Sequence, residues 1–332
     1  MSTTSQEIRL KSRPVGVPTA DNFELASREL ADPAEGEVLI KNLYMSVDPY
    51  MRGRMIDRKS YVPPFQIGEP LTGGAVGEVI ASNHEGYGVG EYVVNFFGWQ
   101  EYALSDGEGL LKVDDSIPLS AYLGVAGMPG RTAYFGLLDI GQPQEGETVF
   151  VSAAAGAVGS VVCQIAKLKG CTVIGTAGSD EKVLWLEEKL GVDVGVNYKT
   201  AGDLTKALAT AAPQGIDVYF ENVGGDHLEA ALAVMNPNGR IPVCGMISQY
   251  NATEPEPAPR NLSLIIGKRL LLKGFIVSDY GSRAGEFTSD MSQWIQAGQI
   301  AWEETVYEGI EKAPEAFIGL FSGENVGKMV VK

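Results

Sequence analysis

The 332-residue chain carries 42 acidic against 26 basic side chains, a net charge of −16, with 45% apolar residues and a mean hydropathy of +0.00. Its length sets a prior of about two domains, and its composition is that of a globular chain rather than a disordered one. The negative charge repels nucleic-acid phosphate and anionic membrane surfaces, so neither is an expected partner, and any anionic ligand must be held by local donors.

The opening stretch MSTTSQEIRLKSRP has neither an apolar core nor a cleavage pattern, and no later apolar run approaches the ~18 residues of a membrane span. A cytoplasmic protein is expected. Residues 7 to 113 read as short strands at Glu7–Arg13, Phe23–Leu30, Glu37–Val47, Gly74–Ala81, Tyr92–Phe96 and Gln100–Leu104. Turn compositions such as PTAD, DPAEGE and SNHEGYGVGE separate them, which predicts a barrel-like β domain. The period changes between Ile117 and Gly141, where a helix is expected from Thr132 to Leu138 after Met128-Pro129-Gly130.

From Thr148 strands and helices alternate, with strands expected near 148–152, 172–176, 194–197, 217–221, 240–244 and 270–277. That alternation predicts a doubly wound parallel sheet of the Rossmann type. The tail holds a strand-like ETVYEG, a helix around Ala313–Phe321 and a closing GKMVVK, read as a return to the first domain. The expected division is therefore 1–126, 127–298 and 299–332. Cys163, Cys171 and Cys244 fall in predicted elements and read as small core residues. With only His84 and His227 besides, no CxxC, HxxH or HExxH spacing offers a zinc site, and no metal is expected.

The most informative stretch is Thr148 to Gly170, where an apolar strand stops at Ala154-Ala155-Gly156-Ala157-Val158-Gly159 and a helical pattern follows. A dinucleotide turn needs glycine where backbone approaches a pyrophosphate and where helix packs on strand, the places of Gly156 and Gly159; Ala154 stands for the usual first glycine. A helix start there offers free N–H groups and a positive dipole end to a diphosphate. A plain strand-to-helix corner would also use small residues, but the alternation that follows favours the dinucleotide.

A site for NAD places an acid at the end of the second strand. Here that place reads Gly175-Thr176-Ala177-Gly178-Ser179, without a carboxylate. Ser179 suits a helix cap, and Lys182 stands one turn in as a counter-charge for a 2′-phosphate, so NADP(H) is the expected cofactor. The bland alternative for Lys182 is a solvated helix lysine.

DPYMRGRM (48–55), GMPGRTAYFGLLDIGQPQEGETV (127–149), AAAGAVGS, GSDEK (178–182), NYKT (197–200), YFENVGG (219–225), VCGMISQYN (243–251), GFIVSDY (274–280) and GENVGK (323–328) occur together. This set resembles the zinc-independent medium-chain dehydrogenase/reductases of the prostaglandin reductase, leukotriene dehydrogenase and alkenal double-bond reductase type, over essentially the whole chain. The resemblance implies a GroES-like domain completed by the C-terminal tail, a Rossmann domain between, an active site in the cleft, and a homodimer joined through an edge strand around Leu270–Val277. Matched motif by motif, it implies cofactor contacts at Gly156, Ala157, Val158, Gly159, Gly178, Ser179, Lys182, Tyr198, Asn222, Cys244, Gly245, Met246, Ile247, Ser248, Phe275, Ile276, Val277 and Asn325, with Met128 and Thr132 near the nicotinamide. Where zinc-containing cousins carry a Cys and a His-Glu pair, this chain has Met45 and Gly73-Gly74; a tyrosine of several relatives falls near Gly267 here.

The resemblance implies NADPH-dependent reduction of the C=C bond of α,β-unsaturated ketones or aldehydes, a small-molecule substrate class. Donors must then meet the oxygen where enolate charge develops, and the candidates are Tyr50 and Tyr250, with wall-lining aromatics and a water proton as the alternative. Tyr44, Tyr61, Phe65, Trp99 and Tyr280 could join Tyr250 in an aromatic-rich cleft or be core. Asp48 and Arg52 read as a structural pair, and Glu221 as a local hydrogen-bonding group. Two-electron quinone reduction and NADPH sensing without turnover are the other functional readings.

Overall fold

A computed structural model describes residues 2–332. The chain divides into two compact units, one of Met1–Leu123 with Glu304–Lys332 and one of Gly124–Glu303.

The first unit is built on β1 (Thr3–Leu10), β2 (Phe23–Leu30), β3 (Val38–Ser46), the short helix α1 (Met51–Arg54), β4 (Ala75–Ser82), β5 (Tyr92–Asn95), β6 (Tyr102–Ser105) and β7 (Leu111–Val113). β1 and β2 form an antiparallel pair in register Thr3↔Leu30 to Leu10↔Phe23, so β1 starts and ends earlier than its apolar pattern suggested. β7 escapes sequence reading because three mostly exposed edge residues carry no alternation.

The second unit begins with α2 (Met128–Phe135), whose first turn takes Pro129, where a missing N–H costs nothing. A π-turn, Gly136–Gly141, follows, so the expected helix starts earlier and ends in a wider coil. Next come β8 (Thr148–Val151), α3 (Gly159–Leu168), β9 (Thr172–Ala177), α4 (Asp180–Leu190), β10 (Val194–Asn197), α5 (Leu204–Ala211), β11 (Ile216–Phe220), α6 (Gly225–Val234), β12 (Met235–Val243), α7 (Leu264–Lys268), β13 (Leu271–Gly274) and α8 (Ala284–Gln296). The six strands lie in the order β10-β9-β8-β11-β12-β13, every neighbouring pair parallel. This is the doubly wound sheet expected from the alternation, and its order reverses between β8 and β11.

The chain then adds β14 (Glu304–Tyr307), α9 (Ala313–Ser322) and β15 (Lys328–Val331) to the first unit, where β15 lies between β14 and β3 in a seven-stranded sheet. Phe317 of α9 meets the Trp99 and Phe23 rings edge-on at 5.9 and 6.3 Å, so the tail supplies part of that unit's core.

Candidate functional site

Open α/β sheets hold ligands outside the carboxyl ends of their strands at the point where strand order reverses, here the ends of β8 and β11. Ser152 follows the end of β8, and the chain turns through Ala153 at φ 47°, a left-handed conformation that an L-residue adopts at a cost of about 1–2 kcal/mol. The strained residue is thus Ala153 rather than Ala154, whose N–H donates to Thr176 O at 2.9 Å and ties the turn to β9. Gly156 donates to Ala153 O at 3.0 Å, and a Cβ at Gly159 would lie 2.4 Å from the same oxygen and 2.8 Å from Ala154 Cα. Only glycine lets α3 approach the strand end so closely. Ala157 and Val158 complete the turn, and among the described residues no side chain caps the α3 start.

At the end of β9, Ser179 caps α4 by accepting from Lys182 N–H at 3.4 Å. A Cβ at Gly178 would sit 3.2 Å from Tyr198 Oη and 3.5 Å from Lys199 Nζ. Burial, and then the charge of Lys199, lowers the Lys182 pKa. Lys199 is therefore a second cation of this corner, one that its place after Tyr198 in NYKT does not signal in sequence. Tyr198 meets the buried His227 ring edge-on at 5.0 Å, and burial pulls that imidazole down to about 4.

The loops after β11 and β12 are laced together. Asn222 donates its N–H to Ser152 Oγ at 2.9 Å and its Nδ2 to Ser152 O at 2.7 Å. Cys244 and Gly245 N–H groups donate to Glu221 O, Ile247 N–H to Asn222 O, and Ser248 N–H and Oγ to Val223 O. Met246 packs beside Gly224, and Tyr250 Oη lies 2.9 Å from the place a Gly245 Cβ would take. Burial and the neighbouring Glu221 charge push the Cys244 thiol up to about 12, which makes it an unreactive group.

On the other side of the sheet end, Phe275 meets Phe220 edge-on at 6.4 Å and sits where a Gly136 Cβ would be, 2.5 Å away. Ile276 follows it and Val277 opens a 3-10 turn, Val277–Arg283. Within that turn Tyr280 stacks on Phe135 at 4.5 Å. Thr132 is buried and donates to Met128 O at 2.8 Å, so both lie on one face of α2.

Two of the expected residues belong to the first unit. Tyr50 precedes α1; burial first and Asp48 second raise its phenol pKa, against the lowering effect of Arg54, so the hydroxyl keeps its proton. Asn325 lies in the turn before β15, its Nδ2 donating to Gly327 O at 2.9 Å. Asp48 accepts from Ser46 Oγ at 2.5 Å and faces Lys328 Nζ at 3.4 Å, while Arg52 donates to the carbonyls of Pro14 and Gly16. Trp99 and Phe65 are core rather than wall: Trp99 donates to Ser46 O, and the Arg54 guanidinium lies 3.9 Å over the Phe65 ring. Among the described residues, no three His, Cys, Asp or Glu side chains gather in a group able to hold a metal.

A doubly wound sheet with a glycine turn at its switch point, joined to a separate β unit, defines a dinucleotide-type oxidoreductase. Family profiles described as "N-terminal domain of oxidoreductase" and "Zinc-binding dehydrogenase" match residues 6–113 and 157–297. The chain is 49% identical to the NADPH-dependent curcumin reductase of Escherichia coli, over 97% of this chain and 95% of that protein. It is 48% identical to prostaglandin reductase 1 of Rattus norvegicus, over 97% of each. The structure of CurA from Vibrio vulnificus in complex with NADPH superposes with a TM-score of 0.94 at 51% identity, over 98% of each chain. The chain belongs to the zinc-independent branch of the medium-chain dehydrogenase/reductases.

Proposed function

We propose that the protein uses NADPH to reduce the C=C bond of α,β-unsaturated ketones or aldehydes. The observation that carries this reading is the pairing of Lys182 with Lys199 at the acid-free end of β9, on a chain of this family. The residues present fit such a cofactor: Gly159 lets the α3 start close on the strand end, Gly156 keeps the turn free of a side chain where the diphosphate would sit, and Ser179, Lys182, Lys199 and Tyr198 suit its 2′-phosphate. Asn222, Cys244–Ser248, Phe275–Val277, Met128, Thr132 and Asn325 are assigned to the rest of it. When bound, the reduced nicotinamide supplies a hydride for the β-carbon. The chain's own part is to orient that carbon, exclude water, and donate hydrogen bonds to the carbonyl oxygen, for which Tyr50 and Tyr250 are the assigned phenols.

The protein is further proposed to act in the cytoplasm as a homodimer. β13 is the edge strand of its sheet, and its Leu271 and the Ile266 of α7 before it are 50% and 81% exposed, which supports pairing of that edge. Among the described residues no helix is long and apolar enough to cross a membrane.

The testing experiment follows label from stereospecifically 4-deuterated NADPH into a simple enone. One label should appear on the β-carbon of a saturated ketone; an allylic alcohol as the main product would mean carbonyl reduction and overturn the reading. Oxidation of NADPH by a quinone but not by the enone would assign the quinone reaction instead.

A further inference from the structure

Glu221 stands where β11 gives out, bridged to Val243 of β12 and beside Ser152 at the end of β8, so it lies at the reversal of strand order. Its side chain is completely buried. One oxygen, Oε1, gathers the Tyr219 hydroxyl at 2.7 Å, the Val223 N–H at 2.7 Å, the Gly224 N–H at 2.8 Å and Ser152 Oγ at 3.2 Å. Its other oxygen, Oε2, is buried without a hydrogen-bond partner among the described residues. A charge placed so asymmetrically in a dry site is costly, and burial raises the carboxyl pKa even though all four donors on Oε1 oppose the rise.

The main chain of the same residue accepts from Cys244 and Gly245 N–H groups, while Ser152 holds Asn222. Gly224 and Gly225 then turn at φ 78° and 51°, positive φ that glycine takes without steric cost but has no side chain to hold in place. Glu221 holds the entry to that turn through Oε1, which receives the Val223 and Gly224 N–H groups.

We infer that Glu221 is a positioning residue for the cofactor: its Oε1, as a hydrogen-bond acceptor whose role does not depend on charge, fixes the Asn222–Gly225 turn, against which the Cys244–Ser248 loop is bonded. The inference rests on the NADPH reading above. It assigns no proton transfer to Glu221, whose carboxyl is enclosed by its own loops.

The test compares Glu221→Gln, which keeps the accepting oxygen and cannot ionise, with Glu221→Leu, which removes it at similar volume. NADPH binding is read by cofactor fluorescence, and folding by circular dichroism and thermal midpoint without ligand. Glu221→Gln should bind NADPH within about threefold of the unaltered protein, and Glu221→Leu about 100-fold more weakly, the scale of a lost positioning group. At saturating NADPH, the KM of Glu221→Gln for the enone should be unchanged. If Glu221→Leu does not fold, Ser152→Ala serves, with an expected loss of about tenfold in NADPH affinity. Equal losses in the Gln and Leu variants would show that the charge matters and overturn the inference, as would unchanged binding in the Leu or Ser152→Ala variant. Failure of the unaltered protein to bind NADPH would instead bring down the proposed function, and this inference with it.

Discussion

Lys328 Nζ lies 3.4 Å from Asp48 Oδ1, both side chains buried, which ties the last strand of the chain to the loop that carries Tyr50. The ammonium also donates to the carbonyls of Val47 and Met329 at 2.8 and 2.6 Å, and Ser46 Oγ donates to the other oxygen of Asp48. Burial lowers the Lys328 pKa and the charge of Asp48 acts against that. Removing one partner of such a pair leaves the other charge uncompensated, so Lys328→Met should cost about 3–5 kcal/mol in chemical denaturation. A Lys328→Met/Asp48→Asn double variant should recover much of it. A single variant as stable as the unaltered protein would show that the pair is not what holds the tail.

The cation corner makes a prediction about cofactor choice. With Lys199 beside Gly178 and its charge acting on Lys182, Lys182→Glu should raise the KM for NADPH by about tenfold or more, the scale of a lost charged contact, and leave that for NADH nearly unchanged. Lys199→Ala should shift the same preference in the same direction and by less. Equal losses with both cofactors would remove the 2′-phosphate from this corner.

His227 supplies a pH dependence whose sign is settled by its shift. The imidazole is held near 4 in the folded chain against 6.5 for the free group, so it must lose burial to gain a proton. Its contribution to stability is complete above about 6.5 and is lost as pH falls through the folded value near 4. The gap corresponds to up to about 3 kcal/mol at 1.36 kcal/mol per unit. Urea unfolding of His227→Phe, compared with the unaltered protein from pH 7 to 4, should lack that component. Parallel curves for the two proteins would show that His227 does not titrate with unfolding.

Gly136 is a matter of space. An added methyl would fall 2.5 Å from Phe275 and 2.8 Å from Phe220, both ring carbons with little room to retreat. Gly136→Ala should therefore cost about 1–3 kcal/mol in stability, the usual effect of overpacking, and weaken NADPH binding by moving the Phe275–Val277 segment. Trimming the ring in Gly136→Ala/Phe275→Leu should restore stability before it restores binding. An unperturbed Gly136→Ala protein would show that the segment yields freely.

The alternation of strand and helix after Thr148 was readable because the central strands β8, β9 and β11 are short buried runs rich in Val, Ile and Phe, and all six strands overlap their expected ranges, although β12 already starts at Met235. Gly159 was readable for the same reason a methyl cannot fit there. Strand ends were less legible: Phe275 continues an apolar pattern yet leaves the ladder, and Glu221 keeps only a single bridge to Val243, because pairing stops where loops begin to receive one another's N–H groups. Lys199 and Lys328 depend on contacts between distant segments, as with Lys328 and Val47, and no local period encodes those, whereas Glu221, read as a local hydrogen-bonding group, does bond its neighbours Tyr219, Val223 and Gly224. Trp99 and Phe65 show the converse, since residue type alone does not separate a wall aromatic from a core one.

The last prediction concerns the phenols. Tyr50 keeps its proton because burial and Asp48 both oppose ionisation, which suits a hydrogen-bond donor and makes it a poor source of a full proton. Tyr250 follows a 3-10 turn, Ile247–Gln249, in the loop whose N–H groups are taken by Asn222 and Val223, and its hydroxyl rests over Gly245. A donor to the developing oxyanion stabilises the transition state and barely touches cofactor affinity, so loss of the true donor should lower kcat by about 100-fold at unchanged NADPH Kd. Tyr50→Phe and Tyr250→Phe are to be compared by single turnover with a small enone and a bulky one, with the larger loss expected at Tyr250. Phenols that only line a wall would raise the KM of the bulky substrate and leave kcat on the small one intact. Full turnover by the Tyr50→Phe/Tyr250→Phe double variant would leave water and the cofactor ribose as the donors.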